Sequence, residues 1–517
     1  MKNINSFNSV ILVDENDNAI GICDKQKAHK TPCLHRAFSI FVFNRKGKLL
    51  LQKRNENKYH SGGLWTNTCC SHPQSDSELI QNATIRLVEE MGIICPLEHL
   101  FSFCYKTKLE NLYEYEYDHV LIGFTDSMPH INKFEVSEWK WESLKSIKDQ
   151  LITNSDQYTY WFKYIIDNYF DILQDEVDRF IANSKLNTVH NEDLYIKQIN
   201  LQKKIEQVIH KELITDYSLP KELIKSIEDS IKINGKCKRS LILYLCNKLI
   251  NDVNMNDLSY VAASIELMQN ASLIHDDIID NAETRRDDET INKKYGTNTA
   301  IINGDYVIFN SYNILSCLSN KSKNQTLRIL KVLNKAYIDM SLGLRMEEKI
   351  INNFSFGENY YITLIERKTA SFFASVCASG AILANASEDD TLLLQQFGYF
   401  YGLAYQIRDD LMPFISDYSK TTKDIDADIK NKLVTLPYLY CYNELNEQNQ
   451  LLMRYYFEDN HDVKPDQIYS LVNSTTAINR CLILIVEYVY KALNILKTFN
   501  DSSAKHDLKQ LTLKLLK

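Results

Sequence analysis

The feature that most constrains this chain is a change of texture near residue 185. Before it, short apolar runs alternate with turn signals. Residues 39–43 are followed by Asn44-Arg45-Lys46-Gly47 and then by 48–52, a pattern that predicts a β-hairpin. Residues 119–124 predict a further strand. Helices are expected over 77–91, stopped by Gly92, and over 158–182. Mixed strands with few helices point to an α/β sandwich. Residues 183–192 are polar and aperiodic and predict a linker. Beyond them helical periodicity continues to the C-terminus and predicts an all-α bundle. A chain of 517 residues exceeds one ordinary core, so two domains are expected, 1–184 and 193–517.

The net charge of -8 disfavours a nucleic-acid partner. The longest apolar run near the C-terminus, 481–486, is cut by Glu487, far short of the ~18 residues of a membrane span. Twelve cysteines in so long a chain make no disulfide framework and suit a reducing compartment. With no apolar segment after Met1, a cytoplasmic location is expected.

In the second half, His275-Asp276-Asp277-Ile278-Ile279-Asp280 lies in an apolar helical pattern. Asp276 and Asp280 are four apart and share a helix face, with Asp277 beside them. Carboxylates this close repel and call for cations. Oxygen ligands with an open side suit magnesium that also holds a diphosphate. A second pair, Asp409 and Asp410, follows Gln406 in another apolar helix. A lone acidic pair can be a solvated face; two pairs in apolar helices can bracket a metal–diphosphate cluster. Basic residues accompany them: Lys236, Arg239, Arg285, Arg286, Lys368 (before Thr369), Lys423 and Lys432. Together they describe a pocket for two diphosphates.

The run from Met268 through Arg286 resembles the first aspartate-rich region of trans-polyprenyl diphosphate synthases, most of all the geranylgeranyl type. Asn303-Gly304-Asp305-Tyr306, Lys368-Thr369, Tyr405-Gln406-Ile407-Arg408-Asp409-Asp410 and Lys423 through Pro437 fall in the family's order. The resemblance spans roughly 195–517. It implies an isoprenoid-synthase helical bundle in which Asp276, Asp280 and Asp409 hold magnesium on an allylic diphosphate. Asp277 and Asp410 belong to the same acidic motifs. Arg285, Lys368 and Lys423 would assist, with Thr369 and Gln406 in the same motifs. Lys236, Arg239, Gln269 and Arg286 would bind isopentenyl diphosphate. Gln269 stands where many members have histidine. Ala271 and Ser272, about one turn below Asp276, are small, which favours a geranylgeranyl or longer product over farnesyl. Pro413 replaces a third aspartate and predicts a kink or helix end. Leu344 and Glu347 replace another motif's glutamine and aspartate.

In the first half, His29, His35, His72, Glu114 and Glu116 are candidate metal ligands. Glu114 and Glu116 are two apart and share a face on a strand. Ala28-His29, His35 through Ser39, Trp65 through Pro73 and Glu114-Tyr115-Glu116 resemble type 1 isopentenyl diphosphate isomerase, a Nudix-fold enzyme. Ile85 through Gly92 is similar to a Nudix box, with Arg86 where a hydrolase carries an acidic residue. The resemblance spans about 8–180. It implies that Cys70 and Glu116 are the acid–base pair, Trp161 faces a cation, and Tyr105 orients Glu116. The five ligands would hold one metal, and Glu90 a magnesium on the diphosphate. Lys25, Arg54, Lys58 and Arg86 would bind its oxygens. If 69–71 is extended, Cys69 points away from Cys70.

The whole implies a bifunctional enzyme acting on isopentenyl, dimethylallyl and longer allylic diphosphates. Magnesium would serve both halves, with manganese or zinc the alternatives at the histidines, and the synthase resemblance implies a homodimer. The alternatives are a single catalytic half beside a regulatory one, a farnesyl product, a terpene cyclase and a Nudix hydrolase.

Overall fold

The computed structural model describes residues 9–517 except 59, 75–77, 110–111, 214–219, 234, 252–254, 286–287, 319–322, 416–431 and 459–464, and the backbone alone at 184–193. Arg286 and Lys423 therefore lie outside the described residues. The chain divides into two compact units, 1–188 with 478–487 and 516–517, and 189–477 with 488–515.

The first unit is a mixed sheet: β1 (Ser9–Val13), β2 (Ala19–Asp24), β3 (His35–Phe43), β4 (Lys48–Arg54), β5 (Trp65–Thr66), β6 (Cys69–Ser71), β7 (Leu97–Leu109), β8 (Leu112–Phe124) and β9 (Val136–Ser143). Its helices are α1 (Lys25–Lys30), α2 (Leu79–Met91), α3 (Leu144–Thr153) and the start of α4 (Tyr160–Leu213). All nine residues of β3 are buried, so it is the central strand. Phe41 and Phe43 face a core shared with Ile147 of α3 and Phe162 and Ile165 of α4. Phe38, Ile40 and Val42 face the other core, with Ala83, Leu87 and Met91 of α2. Strand alternation thus feeds two layers of helix, and each fully buried Leu or Phe contributes about 1.5–3 kcal/mol.

The expected hairpin of β3 and β4 survives only at its first rung, Phe43 with Leu49. Beyond it β3 pairs in parallel with β8, and β4 pairs antiparallel with β9. A strand buried on both faces takes non-local partners, and the local turn does not prevail. The stretch 183–192, expected as a linker, is helical within α4. It holds no glycine or proline to stop a helix. The irregularity in α4 is instead at Tyr169, with φ -129° and ψ 17°.

The second unit is helical: α5 (Lys221–Ile231), α6 (Lys238–Ile250), α7 (Met255–Ile279), α8 (Ile291–Tyr295), α9 (Thr297–Ser316), α10 (Lys323–Glu347), α11 (Glu358–Ile365), α12 (Ser371–Leu383) and α13 (Glu388–Ile415) precede further helices toward the C-terminus. One two-stranded ribbon, β10 (Thr284–Arg285) with β11 (Asp288–Glu289), follows α7. Residues 261–268 of α7 and 372–383 of α12 are buried on every side, so these helices form the centre. Pro413 does not end α13, which continues to Ile415. Within the described residues proline removes the backbone bond to the Asp409 carbonyl without breaking the helix. Among the described residues no single helix is long and apolar enough to cross a membrane.

Gly92 ends α2 in the left-handed region, φ 60°, against the backbone of His130. A Cβ there would collide with the His130 carbonyl oxygen. Gly92→Ala should destabilise the first unit by at least about 2 kcal/mol, read by denaturant unfolding followed by tryptophan fluorescence.

Candidate active sites

The register of β3 against β8 sets His35 opposite Glu116. Pairing of β6 with β3 brings His72, just past Ser71, to the same end, and α1 delivers His29. One ligand atom from each of His29, His35, His72 and Glu116 lies within 4.8 Å of all the others. His29 Nδ1 sits 2.6 Å from the Lys25 carbonyl and His35 Nδ1 2.9 Å from that of Cys33. Donating there fixes the tautomer and leaves each Nε2 lone pair for a ligand. Three imidazoles and a carboxylate, all buried, fit a divalent cation of borderline softness.

The Tyr105 hydroxyl stands 2.7 Å from Glu116 and 3.1 Å from Glu114. Burial opposes the Glu116 charge, but hydrogen bonds and positive charge from His35 and His72 hold its carboxyl well below the usual range. Burial, reinforced by Glu116, pushes Glu114 well above it. The pair therefore retains one proton more readily on Glu114. His60, which the sequence reading did not single out, lies 3.5 Å from Glu114, and its ring is 5.9 Å from that of Trp161. Burial, with the Arg54 charge, pushes His60 down to about 3.

Cys70 packs against the core that holds Trp161, whereas Cys69 is enclosed in the opposite core. The alternation expected of an extended segment is present. Burial pushes the Cys70 thiol up to about 12, opposed by Arg54 and reinforced by Glu90 and Glu116. Arg54 reaches Cys70 Sγ at 3.8 Å, and its guanidinium carbon lies 5.3 Å from the Trp161 ring centre. Trp161 is fixed by its indole N–H on Asn67, 3.3 Å. Lys25, which burial holds below its ordinary range, feels the charges of Arg86, Lys58, Glu116 and Arg54, so the four expected basic residues do converge. Arg86 pairs with Glu89 at 2.7 Å and with Glu90, and Lys58 pairs with Glu135. Burial works against the Glu90 charge, yet Arg86 above all, then Lys58 and a hydrogen bond from Gln52, hold it at about 2. Gln52 and Glu135 carried no recognisable signal in the sequence.

In the second unit Asp276 and Asp280 lie together at the end of α7. Burial pushes Asp276 up to about 6, opposed by Lys368 and reinforced by Glu347 and Asp280. Asp280 is raised by burial, opposed by Lys368 and reinforced by Glu347. Burial works against the Lys368 charge, but Glu347, Asp276 and Asp280 keep its ammonium above the ordinary range. Lys368 and Thr369 sit on a π turn, Glu366–Ala370, between α11 and α12. Gly343 of α10 lies against the Lys368 backbone, and one turn later Glu347 pairs with the Lys368 side chain. Glu347 was read only as a departure from a family motif; it belongs to the acidic cluster.

Thr369 donates to Gln406 at 2.7 Å, and Gln406 donates to Asp410 at 2.9 Å, which ties the second acidic pair to this turn. Asp409 lies within the charge field of Lys238 and Arg408. Asp277 leaves the cluster to pair with Arg285 at 2.6 Å. Arg239 stacks over Phe372 and Phe373 at 5.1 and 4.7 Å. Lys236 adds to the field around Lys238, and Gln269 projects from α7 with its side-chain oxygen buried.

Residues 34–162 match the NUDIX domain family and 220–474 the Polyprenyl synthetase family. One chain thus joins a Nudix domain to a helical polyprenyl synthase domain, both of enzyme families. The first region is 52% identical over 166 residues to Isopentenyl-diphosphate Delta-isomerase 2 of Photorhabdus laumondii, covering 32% of this chain and 94% of that protein. It is 48% identical over 155 residues to the isomerase of Pectobacterium atrosepticum, covering 30% of this chain and 87% of that one. Through this region the chain belongs to the isopentenyl-diphosphate Delta-isomerase family. The rest is 29% identical over 306 residues to Heptaprenyl diphosphate synthase component 2 of Bacillus subtilis, covering 59% of this chain and 84% of that one. Its fold is that of geranylgeranyl pyrophosphate synthetase from Pyrococcus horikoshii, with TM-score 0.58 at 24% identity, covering 63% of this chain and 99% of that one. It also matches octaprenyl pyrophosphate synthase from Helicobacter pylori, with TM-score 0.52 at 28% identity, covering 61% and 98%.

Asp276 binds its proton more tightly folded than unfolded, so its contribution to stability is present at low pH and is lost as pH rises from about 4 through about 6. Asp276→Asn should therefore stabilise the metal-free protein at neutral pH by about 1–3 kcal/mol and level that part of the pH profile, measured by denaturant unfolding in EDTA.

Proposed function

We propose that this chain isomerises isopentenyl diphosphate to dimethylallyl diphosphate and then condenses allylic diphosphates with isopentenyl diphosphate into a trans-prenyl diphosphate of geranylgeranyl length or longer. The observation that carries the reading is the pairing, on one chain, of two charge clusters, the first buried and the second half-buried, suited to consecutive steps. The product of the first is the primer of the second.

In the isomerase half, Cys70 and Glu116 exchange protons with opposite faces of the double bond: one protonates the alkene, the other removes a proton from the far side. Tyr105 orients Glu116. Trp161 presents its ring face to the tertiary cation. Lys25, Arg54, Lys58 and Arg86 hold the diphosphate, Arg86 by exchanging its carboxylate partners for phosphate oxygens. In the synthase half, Lys368 and Arg285, with Lys423, grip the allylic diphosphate, and Thr369 and Gln406 set the positions of Lys368 and Asp410. Lys236, Arg239, Gln269 and Arg286 hold isopentenyl diphosphate. Its double bond attacks the allylic carbon as diphosphate departs, and a proton is then lost. Asp276, Asp280 and Asp409 here, and Glu90 in the first half, would hold magnesium, which would supply positive charge to diphosphate; His29, His35, His72, Glu114 and Glu116 would hold magnesium, manganese or zinc. Ala271, fully buried, and Ser272, bonded back to the Gln269 carbonyl at 2.9 Å, place no bulk one turn below Asp276, which supports the longer product. We further infer a cytoplasmic homodimer, to be checked by light scattering.

Purified protein given isopentenyl diphosphate and magnesium alone should form products of twenty carbons or more, resolved by chain length. Cys70→Ala should abolish that synthesis and leave it intact when dimethylallyl diphosphate is added. Product only with added primer in the unaltered protein would show an idle isomerase half, and fifteen-carbon product would overturn the chain-length reading. A second reading, that the synthase half needs another subunit, follows from the "component 2" in its Bacillus subtilis relative's name. It predicts no condensation by the purified chain under either condition. Arg286→Ala should raise the KM for isopentenyl diphosphate by roughly tenfold or more with little change for the allylic substrate, whereas a terpene cyclase would be indifferent.

A further inference from the structure

On the face of β8 opposite Glu116, a second group of imidazoles takes no part in the chemistry above. His119 and Ser102 are paired across β7 and β8, and a bulge between His99 and Phe101 turns His99 toward them. His99 Nε2 and His119 Nδ1 approach to 3.4 Å, with the rings at 62°. The Ser102 hydroxyl stands between them, 2.8 Å from His99 Nε2 and 2.9 Å from His119 Nδ1. Behind His119, Asp17 Oδ2 lies 3.0 Å from Nε2. Asp17 is itself held by Arg36, through its carboxylate at 2.7 Å and its backbone carbonyl at 2.6 Å.

These contacts assign the protons. The Asp17 carboxylate, 3.0 Å from Nε2, favours the His119 proton on that nitrogen by charge, the tautomer that leaves the Nδ1 lone pair toward His99. His99 is exposed and can carry its proton on Nδ1, which brings two imidazole lone pairs and a hydroxyl oxygen to one point. Two nitrogens bound to one tetrahedral ion at 2.0–2.1 Å are separated by about 3.3 Å, close to the spacing found here. A carboxylate behind a ligating imidazole is the arrangement that orients such a ligand and raises its basicity. The Arg36 charge, which would oppose a cation, is engaged by Asp17. Burial holds His119 below its ordinary range, against the pull of Asp17.

We propose that His99 Nε2, His119 Nδ1 and Ser102 Oγ form a second transition-metal site, open to water at its remaining position and selective for zinc over magnesium. Nitrogen ligands favour a borderline-soft ion, and the single hydroxyl adds too little hard oxygen for magnesium. The histidine cluster at Glu116 lies on the other face of β8, so the two sites are independently testable.

The test is equilibrium dialysis of the metal-stripped full chain against micromolar zinc in millimolar magnesium. His99→Gln, an exposed substitution that leaves the core intact, should bind one zinc fewer per chain than the unaltered protein, with unchanged isomerase turnover. Asp17→Asn should weaken the same zinc 10–100-fold without removing it. Cys104→Ser, at an exposed thiol on the same strand, should change nothing. Equal zinc stoichiometry and affinity in the unaltered protein and His99→Gln would overturn the proposal, as would loss of the zinc in Cys104→Ser.

Discussion

Buried negative charge is the constraint from which the rest of this molecule follows. Each unit gathers carboxylates where water cannot reach them freely: Glu90, Glu114 and Glu116 in the first, Asp276, Asp280 and Glu347 in the second. Taking an ion from water costs several kcal/mol unless partners compensate. The first unit answers with imidazoles around Glu116 and with Arg86 and Lys58 around Glu90. Among the described residues the second answers with Lys368 and Arg285, set among acids. Burial, reinforced by Glu347 and Asp280 and only partly offset by Lys368 and Arg285, pushes Asp276 up.

The backbone is arranged to serve these charges. A parallel pairing of β3 with β8 sets His35 beside Glu116, and no local hairpin could do so. A π turn carries Lys368 and Thr369, whose side chains reach Glu347 of α10 and Gln406 of α13. Such departures from regular geometry are affordable only inside a large core, which the buried lengths of α7 and α12 provide.

Much of this was legible in the residues. Acidic spacing in an apolar helix foretold Asp276 and Asp280, and period-two alternation foretold the separation of Cys69 from Cys70. The three histidines and Glu116 could be named but not brought together, because their meeting depends on strand register. His60, Gln52 and Glu135 were invisible for a related reason: each comes from a polar or ordinary stretch and acquires meaning only from a distant neighbour. Glu347 carries a visible charge, but only its pairing with Lys368 across α10 and the π turn makes it part of the cluster. The stretch 183–192 marked the passage between the two units but not its conformation, because polarity without glycine or proline is compatible with helix. Pro413 sits inside α13, whose described residues stay helical through it.

The pairing of β6 with β3 has a consequence for how such a site can change. Two neighbouring thiols differ only in the side of a three-residue strand from which they leave. A slip by one residue would exchange them, yet it would also carry His72 away from Glu116. The spare thiol is therefore no insurance. Any misalignment that promoted it would dismantle the neighbouring ligand set at the same stroke, so the strand works as an internal proofreader of its own alignment.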